Sequence, residues 1–195
     1  MSGRIIPSQI RKICHKHHSK KEVKIFIETG TWFGKQSFFA KEAKVFDKIY
    51  GIELDKHWCE VTKQKNPEGI IIHGDTRVEL PKLLDMYPTQ PLFIYLDAHW
   101  TRKAVENSLT NPPTPKTEFP LWDELGLIKK RNINDIVAID DVPMFGQTTK
   151  EGKFTPESID WENVTKHNLL DFFGKRVLDK HTYRDGFVIW LNQQE

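Results

Sequence analysis

The sequence predicts an α/β fold: a mostly parallel sheet with helices on both faces and a C-terminal antiparallel hairpin. Short apolar runs of strand length alternate with helical patterns along most of the 195 residues, and this alternation favours parallel strands joined by helices. The runs are apolar throughout rather than at every second position, which is typical of strands covered on both faces. Near the C-terminus, two further extended runs flank Asp185-Gly186, which indicates a hairpin.

The first half of the chain supplies three strands with their helices. A short basic helix at Ser8–Ser19 forms most of an N-terminal extension over residues 1–23. The strands follow at Lys24–Glu28, Asp47–Glu53 and Ile70–His73. The helices are Phe33–Ala43, Asp55–Lys65 and Arg77–Met86. In the first of these we expect Phe38 and Phe39 to face inward. Pro81 is the weak point of the third, because proline lacks the backbone N–H that a helix interior uses.

The second half adds two strands, two helices, the hairpin and two long loops. The strands are Leu92–Leu96 and Asp135–Ile139, the helices Leu121–Lys130 and Trp161–Phe173, and the hairpin arms Arg176–Tyr183 and Phe187–Leu191. The loops cover Thr101–Thr117 and Pro143–Pro156. The first loop is polar and too long for an ordinary strand-to-helix connection, so we expect a lid or binding loop there.

Composition limits the function classes. The formal net charge of +2 is close to neutral for this size, so it provides no whole-protein attraction to nucleic acid or anionic membranes. No apolar run approaches the roughly 20 residues that span a bilayer, and the basic N-terminus lacks the apolar stretch of a secretory signal. The two cysteines, Cys14 and Cys59, form no disulfide framework. We therefore expect a single cytoplasmic domain over residues 1–195, with two free thiols.

Polar clusters follow each of the first three predicted strands, where ligands bind in sheets of this type. The turn after the first strand, Glu28-Thr29-Gly30-Thr31-Trp32-Phe33-Gly34, has glycines that permit a tight turn close to a ligand. Glu53 ends the second strand, where an acidic residue accepts hydrogen bonds from a ribose diol. Asp75 and Thr76 follow the third strand. The alternatives are a solvated carboxylate for Glu53 and a helix N-cap for Asp75 or Thr76.

Three further carboxylates end the fourth and fifth strands. Asp97 begins the segment Asp97-Ala98-His99-Trp100, and Asp140-Asp141 follows the fifth strand. Bare carboxylates at neighbouring strand ends would repel one another, and a hard divalent cation with oxygen ligands would remove that repulsion. Asp140 and Asp141 point to opposite faces in an ideal strand, so both can bind a cation only if the strand has ended. The alternative is helix capping, or pairing with nearby lysine and arginine.

The order of these motifs resembles class I S-adenosylmethionine-dependent methyltransferases, over about residues 24–142 and the closing hairpin. Within that class the sequence is most similar to small metal-dependent O-methyltransferases of the catechol and sugar-modifying types. The resemblance implies a Rossmann-like methyltransferase fold, S-adenosylmethionine as cofactor, and Mg²⁺ or Mn²⁺ as metal. It also implies a role for each strand-end residue. Glu28, Gly30, Thr31 and Gly34 would lie beneath the methionine part, Glu53 at the ribose, Asp75 and Thr76 at the adenine, and Asp97, Asp140 and Asp141 at the metal.

Two departures from the family pattern affect the catalytic assignment. Trp32 stands where many of these methyltransferases have glycine. Ala98 separates Asp97 from His99, whereas the catechol type has Asp-His-Trp followed directly by a lysine base. That base is therefore not transferable by position, and His99 and Lys103 are both candidates, with Asp97 beside them near the cofactor. His99 needs a smaller pKa shift than Lys103 to act as a base, because the unperturbed pKa of histidine is near neutral. The alternative is a structural histidine that orients an aspartate.

The resemblance implies O-methyl transfer, and we expect a hydroxyl of a saccharide, either a glycan or a sugar, as the acceptor. The segments Leu96–Trp100 and Phe119–Leu125 look like methyltransferase domains found beside glycosyltransferases. A catechol-like small molecule stays open as an acceptor. Nucleic acid is disfavoured, because the Asn/Asp-Pro-Pro-aromatic motif of amine-directed enzymes is missing. A nucleotide-binding oxidoreductase is disfavoured by the absent third glycine, and a non-enzymatic remnant by the intact acidic residues.

Several aromatic residues lie in or beside the two long loops: Trp100, Phe119, Trp122, Phe145 and Phe154. They are candidates to stack on a sugar ring or a catechol, with anchoring of the loops as the alternative. We prefer the anchoring role for Trp122.

Overall fold

The computed structural model describes residues 4–18, 22–99, 119–147 and 161–194. The strands are β1 (Ile25–Thr29), β2 (Lys48–Glu53), β3 (Ile70–His73), β4 (Leu92–Leu96), β5 (Ile136–Ile139), β6 (Val177–Tyr183) and β7 (Gly186–Leu191). The helices are α1 (Pro7–Lys16), α2 (Lys35–Ala43), α3 (Lys56–Lys65), α4 (Thr76–Met86), α5 (Leu121–Lys130) and α6 (Lys166–Phe173). Two short 3₁₀ turns, Val142–Met144 and Gly174–Arg176, complete the described elements.

The strands form one seven-stranded sheet in the order β3-β2-β1-β4-β5-β7-β6. The first five strands are mutually parallel, and β7 is antiparallel to both β5 and β6. This arrangement confirms the predicted fold class, including the C-terminal hairpin. Strands β1, β4, β5 and β7 are buried along their whole length, because both faces of the sheet are covered.

Each face of the sheet packs against its own set of helices. On one face, α1 and α2 cover Phe26, Phe93 and Trp190. On the other face, α4, α5 and α6 cover Ile27 and Ile94. The two cores alternate along β1 and β4, because successive strand residues point to opposite faces. The same alternation decides which strand-end side chains share a face at the carboxyl edge.

The N-terminal helix α1 belongs to the core rather than to a peripheral extension. Ile10 and Ile13 are completely buried, and the indole N–H of Trp190 in β7 donates to the carbonyl of Ile13 at 3.1 Å. At the end of α1, Lys16 and His17 contact the carboxylate of Asp179 in β6 at 2.5 and 2.7 Å. The first helix is thereby tied to the last two strands of the sheet.

Several local predictions needed correction. Phe38 is exposed rather than inward-facing, because the buried side of α2 is formed by Gln36, Ser37, Ala40 and Ala43. The final helix begins at Lys166, where Thr165 caps it, and Trp161 lies before it. The predicted third helix, by contrast, is confirmed, because α4 continues through Pro81.

The hairpin turn lies one residue earlier than expected. It consists of Arg184 and Asp185, with Arg184 at a φ of 55°.

The described residues agree with the expected free thiols, since Cys14 and Cys59 are buried and unpaired with each other. No helix in the described ranges is long and apolar enough to cross a membrane. The expected lid Thr101–Thr117 and most of the loop Pro143–Pro156 lie outside the described residues.

Candidate active site

Carboxylates from four parallel strands meet at the carboxyl edge of the sheet. Glu28 lies near the end of β1 and Glu53 ends β2, while Asp97 and Asp140 directly follow β4 and β5. Glu28 and Glu53 are buried, as is Asp140. Because β2, β1, β4 and β5 are adjacent and parallel, the sheet brings together side chains that are far apart in sequence. The edge carries the polar groups that the sequence predicted there.

The turn after β1 lies directly against the chain after β4. Gly30 has a φ of 70°, and a β-carbon built on it would lie 2.4 Å from the carbonyl oxygen of Asp97. Only glycine fits this position, because it tolerates positive φ and has no side chain to push the two segments apart. Gly34, with a φ of 68°, then forms the N-cap of α2.

Glu53 fixes the shape of this turn. Its carboxylate accepts the backbone N–H of Trp32 at 2.7 Å and that of Asp55 at 2.9 Å, and the hydroxyl of Thr31 lies at 3.4 Å. Trp32 has a φ of 43°, a strained conformation for a bulky residue; the hydroxyl of Thr62 donates to its carbonyl. Burial raises the pKa of Glu53. A carboxylate has about four acceptor positions, so capacity remains for a ribose diol.

Asp75 is engaged within the protein. Its carboxylate accepts the backbone N–H of Arg77 at 2.9 Å, which caps α4, and pairs with the guanidinium of Arg77 at 2.6 Å. The side-chain hydrogen bond with Arg77 holds the pKa of Asp75 below its ordinary value. Thr76 is buried. The capping alternative therefore describes what Asp75 does in the structure, and contact with an adenine stays a prediction.

Asp97, His99 and Asp141 form a compact cluster. Nε2 of His99 lies 2.7 Å from the carboxylate of Asp141 and 3.6 Å from that of Asp97, and one ligand atom from each residue lies within 4.8 Å of the others. Strand β5 ends at Ile139 and Asp141 has a φ of 59°, so the left-handed backbone places its side chain near His99.

This set differs from the predicted metal ligands by one member, because His99 stands where Asp140 was expected. The part of the structure described here does not place Asp140 in the cluster, and its role as a ligand stays a prediction. Burial, with the nearby charges of Asp97 and Asp141, raises the pKa of Asp140 to about 7.

The electrostatics of the cluster make His99 a cation. Burial disfavours the imidazolium, but hydrogen bonds and charge attraction from Asp141 and Asp97 outweigh it and raise the pKa of His99 to about 10. Burial likewise opposes ionisation of Asp141, yet the hydrogen bond with His99 holds the pKa of this carboxyl below its ordinary value. At neutral pH, His99 therefore donates its proton to Asp141 and is not free to accept one.

A buried arginine completes the charge pattern, and the sequence did not reveal it. Nη1 of Arg4 lies 3.4 Å from the carboxylate of Asp97 and 3.7 Å from that of Glu28. The hydroxyl of Ser37 also donates to Glu28. Burial raises the pKa of Glu28 to about 8, although Arg4 and Ser37 offset part of the effect. Arg4 thus lies between the carboxyl groups of Glu28 and Asp97 and contacts both of them.

A cleft opens beside the cluster, with roughly 230 Å³ of empty space that includes its solvent-facing part. Its polar lining comes from Asp97, His99, Asp140 and Glu124, and its aromatic lining from Phe119 and Trp161, with Leu96, Ala98, Leu121 and Ile139 completing the wall. The rings of Phe119 and Trp161 lie 4.5 Å apart, and Trp161 also contacts His99 and Phe145. Glu124, on α5, is almost completely buried.

The remaining predicted residues have different outcomes. Lys103, Trp100 and Phe154 lie outside the described residues. Phe119 and Phe145 pack around Trp161, whose part in the cleft was not predicted. Trp122 packs against Phe172, in agreement with an anchoring role.

No protein-family profile and no curated protein matches this chain. Solved structures do match it. An O-methyltransferase from Bacillus cereus in complex with S-adenosylhomocysteine has a TM-score of 0.54 and 12% identity, covering 99% of this chain and 84% of that one. A structure assigned provisionally as a caffeoyl-CoA O-methyltransferase, from Staphylococcus aureus, has a TM-score of 0.62 and 14% identity, covering 95% and 82%. An S-adenosylmethionine-dependent methyltransferase from Clostridium acetobutylicum has a TM-score of 0.54 and 9% identity, covering 97% and 91%.

At these identities the likeness establishes the fold. The chain has the fold of S-adenosylmethionine-dependent methyltransferases, O-methyltransferases among them, and the predicted Rossmann-like methyltransferase fold is confirmed.

Proposed function

We propose that this protein is an S-adenosylmethionine-dependent O-methyltransferase that modifies a hydroxyl of a saccharide. The observation that carries the proposal is the edge of the sheet described above. A glycine turn after β1, a glutamate at the end of β2 and carboxylates after β4 and β5 meet there, on a fold shared with enzymes of this class. In open α/β sheets this edge is where ligands bind.

Within this proposal, most of the edge binds the methyl donor. Gly30, Thr31 and Gly34 shape the floor beneath its methionine part, with the carboxyl groups of Glu28 and Asp97 beside it. Glu53 binds the ribose hydroxyls with the acceptor positions that Trp32 and Asp55 leave open. Asp75 and Thr76 border the adenine.

The cleft beside Asp97 and His99 receives the acceptor. Its hydroxyl oxygen forms a bond to the methyl carbon of the sulfonium, the carbon–sulfur bond breaks, and the electron pair stays on sulfur. The hydroxyl proton must leave for a base. His99 can serve only after it has lost its own proton, and Lys103 is the other candidate. The chain's contribution is to hold the oxygen in line with the methyl group.

The cluster of Asp97, His99 and Asp141 fits a divalent cation. Two carboxylates and one imidazole form a mixed oxygen and nitrogen set, which suits Mn²⁺ better than Mg²⁺. A cation bound there would lower the pKa of an acceptor hydroxyl. Binding through the imidazole nitrogen requires that His99 first release the proton it shares with Asp141.

A saccharide acceptor is supported by the chemistry of the cleft. Carboxylates such as Asp97 accept hydrogen bonds from sugar hydroxyls, and the rings of Phe119 and Trp161 supply an apolar wall. A catechol-like acceptor is the second candidate, because one similar structure is provisionally assigned to caffeoyl-CoA. The near-neutral charge of the chain disfavours nucleic acid.

Calorimetry tests the cofactor. We expect S-adenosylmethionine and S-adenosylhomocysteine to bind, and NAD not to bind. Glu53→Ala should weaken binding by about 1–3 kcal/mol, the scale of hydrogen bonds to a charged acceptor. Absence of binding by the folded wild-type protein would overturn the proposal. Methyl-transfer assays with glycan, catechol and RNA acceptors then identify the acceptor class, and turnover confined to catechols would overturn the saccharide assignment.

A further inference from the structure

Glu124 is a buried carboxyl without a hydrogen-bond partner. It projects from the first turn of α5, only 1% of its surface is exposed, and it lines the cleft that also contains Asp97 and His99. Neither of its oxygens accepts a hydrogen bond from the described part of the chain. The hydroxyls of Thr29 and Thr76 lie close enough to lower the pKa of this carboxyl as hydrogen-bond donors, but neither reaches the distance and angle of a completed hydrogen bond.

A carboxyl in this condition is costly for the folded protein. Burying a polar group without a partner removes its hydrogen bonds with water and forms none in the protein. A group left in this condition in a folded protein therefore calls for an explanation, such as a role in a functional site. A bound ligand that brings an N–H or O–H donor would remove the deficit.

The position of Glu124 identifies which ligand brings that donor. Glu124 lines the cleft assigned to the acceptor, but Thr29 and Thr76 also lie beside its carboxyl. Thr29 directly precedes Gly30 and Thr76 directly follows Asp75, so the carboxyl lies where that cleft meets two segments assigned to the methyl donor. Asp75 is one of the two residues that the resemblance places at the adenine. However, its carboxylate already caps α4 and pairs with Arg77, whereas both oxygens of Glu124 are open.

We propose that Glu124 is a specificity-determining residue that accepts a hydrogen bond from the exocyclic amino group of the cofactor's adenine. The proposal rests on the proposed function, and adds a recognition residue from α5 to the residues at the strand ends. It accounts for a carboxyl that would otherwise weaken the fold, because the ligand supplies the missing donor.

Binding of two matched ligands tests this role. S-adenosylhomocysteine carries the 6-amino donor, and its deaminated analogue, S-inosylhomocysteine, presents a carbonyl oxygen at the same position. At pH 8, where the carboxyl of Glu124 is ionised, the wild-type protein should prefer the amino ligand by about 10- to 100-fold. Glu124→Gln should reduce that preference to within about 3-fold, because an amide can present either oxygen or N–H.

Glu42→Gln, at an exposed position on α2, is the matched control and should keep the wild-type preference. Asp75→Asn tests the competing assignment: loss of the preference in Asp75→Asn with its retention in Glu124→Gln would overturn the inference and assign adenine recognition to Asp75. An equal preference in the wild-type protein, Glu124→Gln and Asp75→Asn would overturn it too. Failure of the wild-type protein to bind S-adenosylhomocysteine would instead contradict the proposed function, so the two failures are distinguishable. Circular dichroism confirms that each variant is folded.

Discussion

Replacing Glu124 with glutamine should stabilise the protein at high pH and leave its stability nearly unchanged at low pH. Burial raises the pKa of this carboxyl from its ordinary 4.5 to about 7, although the hydroxyls of Thr76 and Thr29 offset part of the effect. The folded protein therefore keeps the proton over a pH range in which the unfolded chain releases it. Ionisation favours the unfolded chain there, so stability falls as the pH rises from about 4.5 to about 7, and then levels off.

The size of the effect follows from that pKa difference. Each pKa unit corresponds to about 1.4 kcal/mol, so the full change from 4.5 to about 7 costs the folded state about 3 kcal/mol at pH 8. The side chain is almost completely buried, so solvent does not screen this cost. The free energy of unfolding of Glu124→Gln minus that of the wild-type protein should therefore be about 2–3 kcal/mol larger at pH 8 than at pH 5.

Urea denaturation at several pH values measures this difference. Glu42→Gln, at an exposed position on α2, is the control and should run parallel to the wild-type profile. If the Glu124→Gln and wild-type profiles are parallel from pH 5 to pH 8, the carboxyl of Glu124 is not buried and unpartnered in solution, and the reasoning about its role fails.

Three further predictions address the glycine turn, the buried arginine and the metal. Gly30→Ala should destabilise the fold by at least about 1–2 kcal/mol from positive φ alone and abolish cofactor binding. The control Gly126→Ala, at a helix position where a β-carbon would meet nothing within 4 Å, should stabilise the fold by about 1 kcal/mol. Equal changes of the two variants in urea denaturation would contradict the close approach of Gly30 to Asp97. Arg4→Met should cost about 3 kcal/mol by leaving buried carboxylates unpaired, while the exposed Arg11→Met should change denaturation little, and matching losses would refute the pairing. The affinity for Mn²⁺ should rise as the pH approaches 10, because His99 then loses its proton. Asp141→Asn should weaken Mn²⁺ binding at least about 10-fold. EDTA should abolish turnover, and full activity in EDTA would exclude a role for the metal.

The strand ends were predictable because the sheet topology places them. Once parallel strands were recognised, Gly30, Glu53 and Asp97 had to lie at one edge, and the structure places them there. The presence of His99 in the cluster with Asp97 and Asp141 was not predictable. It depends on a left-handed backbone at Asp141, and no simple residue pattern encodes that conformation.

The roles of Arg4 and Glu124 could not be predicted from the sequence for a different reason. Arg4 lies near a basic segment that is typical of a solvated surface. Glu124 occupies the first turn of α5, where acidic residues are favoured by the helix dipole and are usually exposed. Each becomes informative only through burial, which is set by the tertiary packing around it.

The tie between α1 and β7 has a consequence for synthesis of the chain. The indole of Trp190 binds the carbonyl of Ile13 across 177 positions of sequence. At the usual rate of translation, roughly 10–35 s separate the two residues on the ribosome. During that interval the apolar side of α1 has no β7 to cover it, and it is available to chaperones or to other nascent chains. Interruption of synthesis before β7 would release a chain whose helix α1 lacks part of the surface that covers it, so a quality-control system would meet the apolar side of that helix.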